Sequence, residues 1–200
     1  MKRAILVNGL PASGKTRAAR AVVAATGWPL LTLDSIKEPF FDELGLGDRE
    51  WNRALGRAAY TALWSLIADA ADGSTFVVDA WFGFQPIDVL RRHLDRAGVT
   101  ATAEIWCHAP GEVLAARYLE RLDIRHPGHP GAAYAPELAA RSATVAPLAI
   151  GPVFDYDSTL PLDGPALMTW LHSVLPDVAA GPQAQFSPPG RPTGCHEQRT

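Results

Sequence analysis

The sequence predicts an α/β fold, a parallel sheet covered by helices on both faces. Three observations carry this prediction. Five short apolar runs are spread along the chain, helical patterns lie between them, and the first run leads at once into a glycine-rich loop that opens onto a helix. The length of 200 residues is that of one domain, with or without a tail.

The runs are Ala4–Val7, Leu30–Leu33, Thr75–Val78, Thr102–Trp106 and Val153–Tyr156. Most lack polar alternation, as strands buried on both faces of a parallel sheet do. Between them, Lys15–Ala25 is rich in Ala and Val and stops at Gly27. Ser35-x-x-Glu38 spells a capping box that places a helix start at Ser35 and Pro39 in its first turn. From Arg49 to Ala71 the residues Trp51, Leu55, Ala59, Leu63, Leu66 and Ala70 recur at helical spacing. Further helices fit Pro86–Ala97, Glu112–Leu122, Pro136–Ala146 and Gly164–Leu175. Residues 123–134 break the pattern with prolines and glycines and read as a loop or lid. The division expected is a domain over 1–178 with a lid at about 117–135, and a disordered Pro/Gly-rich tail over 179–200.

With 18 Lys+Arg against 21 Asp+Glu, the net charge of −3 gives no electrostatic footprint for nucleic acid or a membrane surface. Lysine occurs only at positions 2, 15 and 37, which draws attention to any lysine inside a motif. Cys107 and Cys195 are far apart and have no metal-ligand spacing, so one buried and one exposed thiol in a reducing compartment are expected. The apolar start, Ala4–Val7, is shorter than the roughly 7–15 residues of a secretory signal, and no run approaches the ~18 of a membrane span. A cytoplasmic protein is expected.

Residues Gly9-Leu10-Pro11-Ala12-Ser13-Gly14-Lys15-Thr16 form G-x-x-x-x-G-K-T, the phosphate-binding P-loop pattern, between an apolar strand and a helix. Glycines let successive backbone N–H groups turn toward one anion, and the helix adds its positive N-terminal end. Lys15 is placed for the β- and γ-phosphates of ATP and Thr16 for Mg²⁺. No guanine-reading N/T-K-x-D segment exists, and the two D-x-x-G matches, at Asp42–Gly45 and Asp95–Gly98, do not follow strands.

Asp34 directly follows the second predicted strand, where an open parallel sheet binds its ligands, and can take a proton from a substrate hydroxyl. Asp79 follows the third strand and is placed either to hold Mg²⁺ through water or to grip the substrate. Trp81, Phe82 and Phe84 come next and fit equally a pocket wall or the core. Arg117, Arg121 and Arg125 recur every four residues, on one helical face leading into the loop, as arginines of a closing lid would. His126 and His129 have no third ligand nearby in sequence, so no metal is expected there.

The segments GLPASGKT, LTLDSIKEPF, FVVDAWFGF, IWCHAPGEVLAARYLERLDIRHPGH and VFDYDST, in this order over about residues 3–175, resemble the P-loop small-molecule kinases of the chloramphenicol phosphotransferase-like group. More loosely they are similar to gluconate, zeta-toxin and polynucleotide kinases. The resemblance implies a three-layer P-loop fold with sheet order 2-3-1-4-5, ATP and Mg²⁺ as cofactors, and transfer of phosphate to a hydroxyl of a small molecule such as an antibiotic or sugar. It implies Asp34 as general base, Arg117 and Arg121 as lid arginines, and Asp157-Ser158-Thr159 beside the adenine. Arg125 and the aromatics after Asp79 fall on the substrate side. Where that group often has paired carboxylates after the third strand, Asp79 is followed by Ala80 and Trp81, which leaves the acceptor open. A nucleoside or nucleotide kinase, or a P-loop ATPase without a second substrate, are the rival readings.

Overall fold

The computed structural model describes residues 1–175; the tail expected over 179–200 and Cys195 lie outside the described residues. The sheet has five parallel strands: β1 (Lys2–Asn8), β2 (Leu30–Thr32), β3 (Thr75–Asp79), β4 (Val99–His108) and β5 (Val153–Asp157). Their order is β2-β3-β1-β4-β5, as the resemblance implies. The central strand is flanked in register by Val7 against Asp79 on one side and Asn8 against Trp106 on the other. The C-terminal strand ends, where the P-loop, Asp79 and Asp157 lie, therefore converge on one edge of the sheet.

Alternation along β1 divides the core. Ile5 and Val7 face α1 (Lys15–Thr26) and α7 (Gly164–Val174), meeting Ala18, Val22, Leu167 and Leu171. Ala4 and Leu6 face α3 (Arg49–Asp69) and α4 (Ile87–Ala97), meeting Tyr60, Leu63, Trp64 and Leu90. A smaller cluster packs Leu10 of the P-loop against Leu114 and Tyr118 of α5 (Gly111–Leu119) and Leu138 of α6 (Ala135–Ser142). Each fully buried Leu or Ile contributes about 1.5–3 kcal/mol relative to exposure, so both faces clamp the strand that carries the loop.

Three differences from the expected helix boundaries bear on the site. Helix α2 covers Leu33–Leu44, and its cap is Thr32, whose Oγ1 accepts from the Ser35 backbone N–H at 3.1 Å. The helix therefore starts two residues before Ser35, Asp34 lies in its first turn rather than in a link between strand and helix, and Pro39 falls inside it. Helix α5 ends at Leu119, with a 3-10 turn at Leu122–Ile124 after it, so Arg117, Arg121 and Arg125 do not share one helical face. Helix α6 stops at Ser142, four residues short of the predicted end. Among the described residues no helix is long and apolar enough to cross a membrane.

Candidate active site

At the end of β1 the chain turns sharply. Gly9 has φ +148°, and a Cβ there would overlap the Cys107 carbonyl oxygen of the neighbouring strand, so only glycine fits. Ala12 has φ +65°, a left-handed conformation that costs a non-glycine residue energy and is concentrated at functional loops. Gly14, with φ +87°, caps α1. The Lys15 Nζ folds back onto the Leu10 carbonyl at 2.9 Å. The Ser13 Oγ is buried without a hydrogen-bond partner among the described residues. Such a loop, with backbone donors, a lysine and a helix N-terminus, suits a phosphate chain.

The Thr16 hydroxyl donates to Asp79 Oδ2 at 2.8 Å. Asp79 is 6% exposed, and burial pushes its pKa up, opposed by the charge of Lys15 and the Thr16 hydrogen bond. A hydroxyl and a buried carboxylate meeting beside the loop supply hard oxygen donors that fit Mg²⁺.

Asn8 and Glu104 lie beneath the loop. Glu104, 1% exposed, accepts from Asn8 Nδ2 at 2.8 Å and from the backbone N–H groups of Leu148 and Ala149 at 3.0 Å each. Asn8 Oδ1 in turn accepts from Gly9 N at 2.8 Å and Phe82 N at 3.2 Å. This relay fixes the start of the P-loop to the chain leaving β3. Sequence reasoning passed over both residues, because their value lies in burial and a partner 96 positions away.

Asp34 is exposed on the first turn of α2, its charge near enough to raise the pKa of Asp79. One turn on, Glu38 pairs with His129 at 2.8 Å, and Asp42 pairs with His126 at 2.9 Å. The segment carrying both histidines is thus docked along α2. Gly128 sits flat against the Phe41 ring, His126 stacks on that ring at 5.4 Å, and Asn52 Nδ2 donates to the Gly128 carbonyl. Asp34, Glu38 and His129 bring ligand atoms within 4.8 Å of one another. The two carboxylates beside His129 come from a helix more than eighty residues away in sequence.

The arginines separate. Arg117 donates to the Ser158 hydroxyl at 2.8 Å and its carbonyl at 3.0 Å, joining α5 to the turn after β5. Arg121 is exposed, and Arg125 lies over the Tyr118 ring at 4.8 Å. Asp157 Oδ1 accepts from the backbone and hydroxyl of Thr159, which hold its pKa down. Of the aromatics, Phe82 is 2% exposed and packs edge-on against Tyr60, so it belongs to the core and not to a pocket wall. Trp81 is half-buried beneath the Arg141 guanidinium at 5.1 Å. The Cys107 thiol is buried, with its pKa pushed up to about 12.

The family described as an AAA domain matches residues 5–140, from the first strand through the P-loop to α6. The chain belongs to this family. A candidate kinase from Chloroflexus aurantiacus j-10-fl is 31% identical to this AAA-domain protein, with TM-score 0.75 over 86% of this chain and 98% of that one. A sugar kinase from Janibacter sp. HTCC2649 aligns at 18% identity and TM-score 0.56 over 90% and 99% of the two chains. A gluconokinase from Sinorhizobium meliloti 1021 does so at 18% and 0.53 over 87% and 94%. The last two show a shared fold. No curated protein matches the AAA-domain chain.

Proposed function

We propose that the protein is an ATP-dependent phosphotransferase that moves the γ-phosphate of ATP to a hydroxyl of a small molecule. The observation that supports this most is the placement of Asp34. Its carboxylate is exposed on the first turn of α2, near enough to Asp79 for its charge to be felt there. A carboxylate in that position can orient a bound hydroxyl and take its proton. The similarity to the Chloroflexus protein points the same way.

In this reading the P-loop amides and Lys15 hold the phosphates, Lys15 leaving the Leu10 carbonyl to do so. Thr16 and Asp79 would hold Mg²⁺, which supplies positive charge against the phosphate oxygens. Asp34 orients the acceptor hydroxyl and accepts its proton as the acceptor oxygen bonds to the γ-phosphorus. The bond from that phosphorus to the β–γ bridging oxygen breaks, and ADP leaves with the electron pair. Arg117, already at the turn with Ser158 and Asp157, borders the nucleotide's base. Arg121 closes from the lid onto the transferred phosphate, and Trp81 and Arg125 flank the acceptor.

The test is acceptor-dependent ADP release by wild type and Asp34→Asn over sugars, aminoglycosides, phenicols and nucleosides. Asp34→Asn is expected to bind ATP normally and turn over about 10²–10⁴-fold more slowly. ADP release that no acceptor stimulates, or that Asp34→Asn leaves unchanged, defeats the reading.

A further inference from the structure

Behind the phosphate loop the chain encloses a cavity of about 300 Å³. Leu10 and Ser13 of the loop, Trp106 and His108 of β4, and Leu114 of α5 help to line it. Lys15, Thr16, Asp34, Asp79, Arg117 and Ser158 do not. The cavity therefore lies apart from the groups assigned above to phosphate, Mg²⁺, acceptor and nucleotide. Along β4 the side chains alternate. Ile105 and Cys107 pack with Ala18 and Leu167 on the α1 and α7 side, so Trp106 faces the opposite side of the sheet.

Interiors are close-packed, and a space of this size matches the lower end of ligand pockets, about 300–1,000 Å³. Its outer wall is fixed rather than collapsed. Helix α6 stops at Ser142, and Val145 from the irregular chain beyond lines the cavity. Three residues later Glu104 of β4 ties that chain down through the Leu148 and Ala149 amides.

The lining decides what fits. Leu10, Trp106 and Leu114 are buried and supply apolar surface. Ser13 is 1% exposed, and its Oγ, without a partner among the described residues, can donate or accept one hydrogen bond at the cavity wall. No lysine or arginine lines the space. Its one carboxylate, Asp155, pairs with its one imidazole, His108, at 3.2 Å on the solvent side. An anion would meet no free cation there and a cation no free carboxylate, so either would be desolvated without a counter-charge.

We propose that this cavity is a second ligand site, for a compact uncharged molecule with an apolar ring and a hydrogen-bonding group. The ring packs on Leu10, Leu114 and Trp106, and the polar group reaches the Ser13 hydroxyl. Such a ligand bears on the phosphate loop from behind, because Leu10 and Ser13 flank Pro11-Ala12 and the Leu10 carbonyl also holds Lys15 Nζ. The site stands whether or not the chain transfers phosphate.

The experiment saturates the whole chain with Mg·ADP and titrates it with benzamide, followed by saturation-transfer NMR. Wild type is expected to bind one benzamide with Kd of about 5 mM or tighter. Benzoate and benzylamine, its charged matches, are expected to bind about tenfold more weakly or worse. Val145→Trp fills the space and His108→Trp narrows its open side, and each is expected to weaken benzamide about tenfold or more. Melting curves report folding, and the half-exposed His108 position keeps the test decisive if the Val145 variant does not fold. No saturable benzamide binding by wild type overturns the proposal, as does undiminished binding in the folded variants. Equal affinity for a charged match, or displacement of benzamide by Mg·ADP, overturns it too. Failure of Mg·ADP itself to bind strikes the phosphotransferase reading instead, and the same titrations without nucleotide still decide the cavity.

Discussion

In the proposed Mg²⁺ role Asp79 would serve two opposed demands. Its site favours a neutral carboxyl, because burial raises its pKa, while holding a cation requires the carboxylate. A carboxyl whose pKa is raised on folding favours the folded state below its unfolded pKa and loses that contribution as pH rises through the folded one. Asp79→Asn should therefore melt higher than wild type at pH 7, and the gain should vanish below about pH 4, where both forms are protonated. Mg·ATP affinity should fall in the same protein. A variant that melts lower at pH 7 would show that the Thr16 and Lys15 contacts outweigh desolvation. Glu104 is buried with three donors aimed at its side chain. Glu104→Ala should cost about 3 kcal/mol or more by urea titration, since each buried donor left unpaired costs about 1–3 kcal/mol. A loss below about 1 kcal/mol would mean that water replaces the carboxylate without penalty. The P-loop itself was legible because eight adjacent residues carry it through backbone conformation. Asn8 and Glu104 were not, because a single residue type says nothing about burial or a distant partner.

At the level of elements, the segment that carries His126 and His129 is held by shape as much as by charge. Gly128 lies so close to the Phe41 ring that any side chain must push the two apart. Gly128→Ala should leave the melting temperature nearly unchanged but raise hydrogen exchange over residues 121–131, because the segment lifts off α2. Unaltered exchange would show that the His126–Asp42 and His129–Glu38 pairs suffice to keep it docked. The elements also show where sequence patterns mislead. Thr32 and Ser35 are both competent caps, and Ser35-x-x-Glu38 is the better spelling. Glu38, however, goes to His129 instead of closing the box, and Thr32 Oγ1 takes the Ser35 amide. Four-residue spacing placed three arginines on one face, but the helix ends after the first of them. Strand positions fared better, since continuous apolar runs leave a doubly covered strand few alternatives.

Across the whole molecule, stability and site share the central strand. Ile5 and Leu6 are fully buried on opposite faces of β1, four and three residues before the P-loop. Ile5→Ala should cost about 2–5 kcal/mol, at about 2–4 °C of melting temperature per kcal/mol for a chain of this size. It should also loosen phosphate binding, since Gly9 is aimed by the strand. Full nucleotide affinity at the lowered melting temperature would separate the loop from its support. The strand order could not be derived from spacing. It came from resemblance, because many permutations of five parallel strands satisfy the same apolar pattern.

The poverty in lysine gives the molecule a built-in chemical reporter. Lys2 is 6% exposed, with its Nζ bonded to the Ala68 carbonyl, and Lys37 is nearly as covered. Lys15 is thus the more open of the three side-chain amines, and it stands in the phosphate loop. Acylating reagents that scatter over the surface of most proteins should, besides the exposed Met1 α-amine, concentrate here on one side chain at low dose. Mass spectrometry of that adduct, with and without bound nucleotide, would read occupancy of the loop directly, with no engineered label and no knowledge of the acceptor.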